Sequence, residues 1–398
     1  MLVMRPISRI NSALMIQIMD KHDCCGCEAC AQRCPKQCIA MRADHEGFLY
    51  PEVDMSHCIN CGLCEKVCPQ LNVKKGDTPL QVVAAKAKDL ELQMQSSSGG
   101  LFSLLAEQVL RENGVVFGAR FDYSWQVVHD CTETIEGLAP FRKSKYVQSR
   151  IGDSFRKAES YLKAGRKVLF TGTPCQINGL KLFLRKDYEN LLAVDIVCHG
   201  VPSPKVWSRF LKEYVSDESL QHVARVDFRD KTDGWEDYRF SVTIADDGKR
   251  TVLSEKAGQN IFMKAFLGHL IMRPSCEHCR AKEGYWSDLS IGDFWGIIRS
   301  LPQFYDKRGV SVVVVRSLKG AKALENLKID RISAAMENVI PYNGGFEGAA
   351  HPHQNRTRFF RNINRIKDLR IGMLKMLRPS YSQRVKILFN KILKEIFR

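Results

Sequence analysis

Ten of the chain's fifteen cysteines fall between Cys24 and Cys68. Cys24, Cys27, Cys30 and Cys34 are spaced C-x2-C-x2-C-x3-C and are followed by Pro35; Cys58, Cys61, Cys64 and Cys68 repeat the spacing and are followed by Pro69. Three cysteines so spaced wrap a tight loop around one iron–sulfur cubane, with backbone N–H groups turned towards the sulfurs. The fourth, stopped by its proline, reaches across to the other cluster. One 4Fe–4S cluster is therefore expected on Cys24, Cys27, Cys30 and Cys68, and a second on Cys58, Cys61, Cys64 and Cys34. Zinc does not account for two copies of a four-cysteine run ending in Cys-Pro. Disulfides do not suit a chain expected to work inside the cell. Cys25 and Cys38 lie outside both ligand sets and are expected to be bystander thiols.

Four of the other cysteines sit in unusual settings. Cys175 follows Thr171-Gly172-Thr173-Pro174 at the start of a helix, Cys198 ends a strand in Val197-Cys198-His199-Gly200, and Cys276 and Cys279 form a C-x2-C. Strand ends of an α/β sheet gather ligands. The four thiols suit a third 4Fe–4S cluster or a structural zinc ion, and Cys175 and Cys198 are equally readable as buried structural thiols. Cys131, alone on a strand, is expected in the core. His199 and Asp293 are candidate proton donors, or groups that position a cysteine ligand; no catalytic residue stands out beyond them. Ser96-Ser97-Ser98-Gly99-Gly100 is a small-residue turn before a helix, where free N–H groups and the helix dipole favour an anion. A simple serine cap explains it as well. No G-x-G-x-x-G follows a strand, so direct nicotinamide-dinucleotide binding is not expected.

These residues need a scaffold, and 398 residues at 45.3 kDa are too many for one ordinary domain. Cysteine density drops at Lys74-Lys75-Gly76-Asp77-Thr78-Pro79, which has linker composition. The expected division is an extension over 1–20, a two-cluster ferredoxin domain over 21–73, a catalytic domain over 80–350, and a basic tail over 355–398. Beyond the linker, strand-like and helix-like segments alternate. Val82–Ala85, Val115–Ala119, Lys167–Phe170 and Leu191–Val197 predict strands, and helices are predicted from Gly99-Gly100, Pro174 and Pro204. Two alternating stretches between Val223 and Val252, broken by Asp246-Asp247-Gly248, predict an antiparallel hairpin. The fold class is thus a small ferredoxin domain fused to a larger α/β or α+β domain.

The net charge of +16 sits mostly in the tail: residues 355–398 hold thirteen Lys or Arg against two acidic side chains, a net +11. Tyr381, Val385, Leu388, Phe389, Ile392 and Ile396 recur there at helical spacing among basic residues. Such a helix packs on its own body, docks a partner, or lies on anionic lipid. No motif beyond charge supports nucleic-acid binding. No apolar stretch approaches the ~18 residues needed to span a bilayer. Arg5, Arg9 and the apolar Ser12–Met19 stretch lead into Asp20-Lys21-His22-Asp23, not a small-residue cleavage site. A cytoplasmic protein is expected, with the tail as its one route to the inner face of a membrane.

Ser97-Ser98-Gly99-Gly100, Gly172-Thr173-Pro174-Cys175-Gln176, Cys198-His199-Gly200-Val201-Pro202-Ser203, Phe228-Arg229-Asp230-Lys231 with Gly234-Trp235, Cys276-x2-Cys279 and Asp288–Gly296 occur in that order. Together they resemble the beta subunit of coenzyme F-420 hydrogenase/dehydrogenase, here behind a ferredoxin domain, from Asp23 to about Val315. The resemblance implies FAD and one 4Fe–4S cluster in a mixed-sheet catalytic domain, with Cys175, Cys198, Cys276 and Cys279 as the cluster ligands. It implies flavin contacts from Ser97, Ser98, Gly99, Gly100, Gly172 and Thr173, and from the Lys145–Ser149 segment through Lys145 and Gln148, Lys145 being able to stabilise a reduced, anionic flavin.

The expected function is an iron–sulfur flavoprotein oxidoreductase linking a ferredoxin or other one-electron carrier to an organic acceptor or the deazaflavin coenzyme, in either direction. The alternatives are a non-catalytic electron-transfer subunit and a cluster-bearing regulator that uses the basic tail. No residue declares the acceptor.

Overall fold

The computed structural model describes residues 15–75, 78–346 and 348–378. In the cysteine-rich module, strands β1 (Ile39–Ala43) and β2 (Leu49–Val53) pair antiparallel, and short helices Ala29–Arg33 and Leu63–Lys66 carry the third cysteine of each run. The two cysteine loops repeat one backbone trick. Gly26 and Glu28 in the first, and Asn60 and Gly62 in the second, all have positive φ. Left-handed residues between successive cysteines curl the chain tightly, as a loop around a cluster requires. Glu28 is the costly member, and its carboxylate accepts from the backbone N–H groups of Ile151 (2.7 Å) and Gly152 (3.3 Å).

Behind the linker an eight-stranded mixed sheet forms from β3 (Gln81–Ala87), β4 (Val115–Phe121), β5 (Val127–Thr132), β6 (Val168–Gly172), β7 (Leu191–Ile196), β11 (Leu289–Asp293), β12 (Ser311–Val315) and β13 (Ile329–Ser333). Its order is β13-β3-β12-β11-β7-β6-β4-β5; β4, β6, β7 and β11 run parallel and the flanking strands antiparallel. The central strands are buried on both faces, so Val168–Gly172 and Ser311–Val315 show unbroken burial rather than alternation. Phe117, Phe170 and Ala193 face one layer with helices Ser154–Lys163 and Pro174–Leu184; Val116, Leu169 and Val194 face the other with helix Leu101–Arg111. Cys131, expected in the core, is half-buried because β5 ends the sheet.

A second sheet, β8 (Val223–Asp230), β9 (Arg239–Asp246) and β10 (Lys249–Lys256), is antiparallel. Positive φ at Asp247 and Gly248 makes the two-residue turn between β9 and β10, as the Asp-Gly pair predicts. Helix Pro204–Val215, capped by Ser203, packs Trp207 and Phe210 onto Phe228, Phe240 and Phe262. Trp207 is fully buried and its indole N–H donates to the Trp125 carbonyl at 2.6 Å. Truncating such a side chain to alanine costs ~3–5 kcal/mol.

This core also contains the start of the segment taken from sequence as a basic tail. Helices Arg356–Asn362 and Leu369–Leu377, with the Ile363–Arg365 turn between them, bury Phe359, Phe360, Ile363, Leu369 and Met373 in it. The body therefore extends to residue 378, because these apolar side chains outweigh the charges between them; the amphipathic Tyr381–Phe397 segment lies outside the described residues.

The ferredoxin module is seated in the sheet domain, not tethered to it. Cys25, Cys27, Ala29 and Val67 belong to the core over β4, β6 and β7. A Cβ on Gly179 would meet the Cβ and Sγ of Cys27 at 3.0 Å, so only glycine lets the Pro174–Leu184 helix approach. The Gln32 Oε1 accepts from the N–H groups of Phe155 and Arg156 and so caps a helix of the other domain.

Candidate functional site

Cys34, Cys58, Cys61 and Cys64 line one cavity of the ferredoxin module, together with Met15 and Val53. Cys38 lines it too, its Sγ 3.4 Å from that of Cys34. The backbone N–H of Ile16 points at Cys64 Sγ from 3.2 Å. Around Cys34 burial works against the thiolate, but the N–H groups of Cys38, Lys36 and Gln37 outweigh it and the pKa falls. In the other set, Cys30 lies within electrostatic reach of Cys24 and Cys68, and Cys27 of Cys30 and Cys68. Both four-thiol groups expected from the spacing are thus brought together.

Cys175, Cys198, Cys276 and Cys279 line a second cavity. Cys175 comes from the first turn of the Pro174–Leu184 helix, where Thr173 and Gln176 form a reciprocal cap. Cys198 follows the end of β7, Cys276 lies in the Pro274–His278 turn and Cys279 directly follows that turn. Cys25 and Gln70 of the ferredoxin module complete the wall. Neither cysteine outside the two expected ferredoxin ligand sets is remote, therefore: Cys38 stands beside the second set and Cys25 faces the third. Among the described residues no group of three or more His, Cys, Asp or Glu side chains closes on a single-ion position. The donor set, four thiols around a space, fits a cubane and, by donor chemistry, a structural zinc ion as well.

The second cavity shares Cys198, His199, Gly200 and Val201 with a large cleft of about 680 Å³. The cleft runs from the Ser97–Gly100 turn to the ends of β6 and β7. The Leu101–Arg111 helix points its N-terminus into it, with Gly100 at φ 91 and no side-chain cap. The serines are spent on structure: Ser98 Oγ donates to the Val310 carbonyl, and Ser97 Oγ accepts from the N–H of Ser144. What the turn offers the cleft is therefore backbone N–H. Gly99 is packed behind, where a Cβ would meet the Ala85 carbonyl at 2.4 Å. Gly172 and Thr173 line the cleft at the end of β6.

Lys145 lines it as well; its Nζ donates to the carbonyls of Arg142 (2.8 Å) and Lys143 (3.2 Å), and burial lowers its pKa to about 7. Gln148 faces elsewhere, donating to the Cys25 carbonyl and accepting from Arg273 at the seam with the ferredoxin module. His199 Nε2 is 2.7 Å from His269 Nε2, and burial lowers the His199 pKa to about 4. Asp293 accepts from both terminal nitrogens of Arg229 (3.0 and 3.1 Å) and from the Trp235 indole at 2.6 Å. Its oxygens are committed, which fits a positioning group better than a proton donor.

Sequence reasoning gave Arg229, Lys231 and His269 no role. The Arg229 guanidinium is buried between Tyr238 (4.0 Å to the ring centre) and Trp295 (5.1 Å), and Trp295 stacks on Trp235 at 4.8 Å. Lys231 donates to the carbonyls of Gln93, Ser98 and Arg308 and so shapes the Ser-Gly turn from behind. The Phe228–Lys231 motif was the available signal; what its side chains touch was not legible in it.

A dicluster module seated against a sheet domain that has its own four-thiol cavity and a deep cleft defines an iron–sulfur electron-transfer protein. Residues 23–72 match the family model of the 4Fe-4S dicluster domain, and residues 165–338 match that for the C terminus of the coenzyme F420 hydrogenase/dehydrogenase beta subunit. The chain thus carries a segment similar to the C terminus of that beta subunit behind a ferredoxin-type domain of the 4Fe–4S dicluster kind. It is 30% identical over 191 residues to the coenzyme F420-dependent sulfite reductase of Methanocaldococcus jannaschii, an alignment covering 47% of this chain and 29% of that protein. It is 37% identical over 68 residues to NADH-quinone oxidoreductase subunit I of Pelobacter propionicus, covering 15% and 37% respectively. The chain therefore spans well under half the length of either relative. A chain of the F420-reducing NiFe hydrogenase complex from Methanosarcina barkeri superposes with a TM-score of 0.45 at 20% identity, covering 67% of this chain and 86% of that one. Among the described residues no helix is long and apolar enough to cross a membrane.

Proposed function

We propose that this protein is an iron–sulfur flavoprotein oxidoreductase that moves electrons between a ferredoxin-type carrier and an organic acceptor, the deazaflavin coenzyme among the candidates. One observation carries the reading: the ferredoxin module, the Cys175–Cys198–Cys276–Cys279 cavity and the cleft are contiguous, the cavity sharing walls with both. Cys24, Cys27, Cys30 and Cys68 would hold one cluster, Cys34, Cys58, Cys61 and Cys64 a second, and the cavity cysteines a third. FAD in the cleft, with the clusters, would supply the exchange between one- and two-electron chemistry.

The chain's own residues have definite tasks. Backbone N–H groups at the start of the Leu101–Arg111 helix would hold a diphosphate. Lys145 offers an ammonium against an anionic ring, a charge that costs little to lose because its pKa is already near 7. His199 lines the cleft, and its Nε2 lies 2.7 Å from that of His269, so one proton can pass between the two rings. Arg229, fixed by Asp293, presents a rigid, buried cation beside Trp295 in the wall of the cleft.

Anaerobic purification with metal and flavin analysis tests this. About 12 irons, matching sulfide and one flavin per chain are expected. Near 8 irons with zinc would reassign the third cysteine set, and absence of flavin would leave an electron-transfer subunit. That rival is favoured by the 29% share of the sulfite reductase that the chain spans. Turnover by the isolated chain with reduced ferredoxin or a reduced dye separates the two.

A further inference from the structure

Arg273 is completely buried, and among the described residues it makes no ion pair with a carboxylate. Each of its three guanidinium nitrogens nevertheless donates. Nε donates to the Cys24 carbonyl at 2.7 Å, Nη1 to Gln148 Oε1 at 2.9 Å and Nη2 to the Leu49 carbonyl at 2.9 Å. Its plane lies over Tyr50 (4.4 Å) and Phe48 (5.4 Å). Glu28 is within electrostatic reach, but its oxygens are taken by the amides of Ile151 and Gly152. The fit is tight: a Cβ on Gly26 would meet Arg273 Nη1 at 2.7 Å.

A desolvated cation without a contacting counter-charge is strongly disfavoured, and neutral carbonyls and a carboxylate out of contact answer only part of that penalty. The remainder is to be sought in what else stands nearby. Arg273 lies in the wall of the cavity of Cys175, Cys198, Cys276 and Cys279, and it bonds the peptide of Cys24 in the first ferredoxin set. The thiols of Cys24, Cys25 and Cys276 all act on it electrostatically. A cubane on four thiolates is an anion, and it gains one further negative charge on reduction.

We propose that Arg273 is the shared counter-cation of the first and third clusters, a positioning residue that makes both easier to reduce and so governs the one-electron step from the ferredoxin module into the sheet domain. In that step one electron leaves one cluster and enters the other, and no bond is made or broken. A cation beside both stabilises the added negative charge on whichever side of the seam holds the electron. Any one-electron carrier that reduces the ferredoxin module supplies the electron. The inference rests on the third cysteine set holding a cluster, as proposed above.

The test is a reductive titration of the anaerobically purified holoprotein, followed by electron paramagnetic resonance. In Arg273→Gln the first and third clusters should become harder to reduce by about tenfold in the equilibrium, 59 mV for a one-electron couple. The second cluster, on Cys34, Cys58, Cys61 and Cys64, should keep its potential. Arg273→Lys should hold all three near wild type. Unchanged potentials in a fully loaded Arg273→Gln protein, or an equal shift of all three, overturn the proposal. Should Arg273→Gln lose its clusters, Arg273→Lys decides: full iron with wild-type potentials supports the role of charge, whereas lost iron or lowered potentials overturn it. A wild-type count near 8 irons would instead remove the third cluster and the reading beneath the inference.

Discussion

Arg356 and Glu46, 310 residues apart in the chain, form a buried ion pair with Nη2 2.6 Å from Oε2. The pair joins the C-terminal helix to the turn between β1 and β2 of the ferredoxin module. Arg356 also donates to the Met272 carbonyl, next to Arg273. Removing Arg356 strands the Glu46 carboxylate in the interior, which costs ~3–5 kcal/mol, whereas an Arg356 deprived of Glu46 keeps Glu277 at 3.5 Å. Arg356→Met should lower stability by about that much in anaerobic urea unfolding, and Glu46→Gln by less, since Glu277 still faces the guanidinium. The double variant should lose clearly less than the sum of the two.

Cys38 beside Cys34 changes what a ligand-removal series should show. With Sγ atoms 3.4 Å apart, Cys38 can take over when Cys34 is replaced. Cys34→Ser should therefore keep about 12 irons, and Cys34→Ser with Cys38→Ser should fall to about 8. Cys61→Ser, which has no such neighbour in its loop, should lose the second cluster alone and leave flavin reducible by chemical donors. Loss of iron in Cys34→Ser alone would refute the substitution.

His129 should make the fold acid-sensitive. It is buried, its Nε2 lies 2.9 Å from the Thr171 carbonyl and its Nδ1 has no partner. Burial lowers its pKa from 6.5 to about 4. The unfolded chain binds the proton more readily, so the stability present above pH 6.5 drains away as the pH falls towards 4. Between pH 7 and pH 5 the wild type should lose roughly 2 kcal/mol more than His129→Phe, at 1.36 kcal/mol per pH unit. Equal losses in the two proteins would remove His129 as the cause.

The extent of the body predicts two different truncations. A chain ending after Arg378 keeps both C-terminal helices and should retain iron, flavin and stability. A chain ending after Gln354 loses Phe359, Phe360, Ile363, Leu369 and Met373 from the core and should be insoluble or cluster-free. If Tyr381–Phe397 lies on lipid, only the full chain should co-sediment with anionic vesicles. Salt should release it, since the attraction acts within a Debye length of about 8 Å.

Asp293 separates positioning from proton transfer. Asp293→Asn keeps an acceptor for the Trp235 indole but leaves the buried Arg229 without its counter-charge. The expected result is weakened binding in the cleft, read as a raised KM or a faster flavin off-rate, with the pH profile of turnover unmoved. A pH profile that loses one limb would make Asp293 the proton donor after all.

The cysteine repeat, the buried strands and the Pro-led helices were legible in the sequence because each is a local matter. Spacing and left-handed residues curl a loop within seven positions, and runs such as Val312–Val315 declare their burial by composition alone. The four cavity cysteines were legible as a set only through the order of motifs, since the 104 positions from Cys175 to Cys279 hold no periodicity that joins them. The seam was decided by tertiary structure alone. Arg273 meets Cys24 across 249 positions, Arg229 meets Asp293 across 64, and His269 meets His199 across 70. Which buried cation meets which acceptor depends on how the ferredoxin module settles against the sheet. That follows from the packing of Cys27 on Gly179 and of Phe359 and Phe360 in a core assembled from distant segments, whose shape no local pattern encodes.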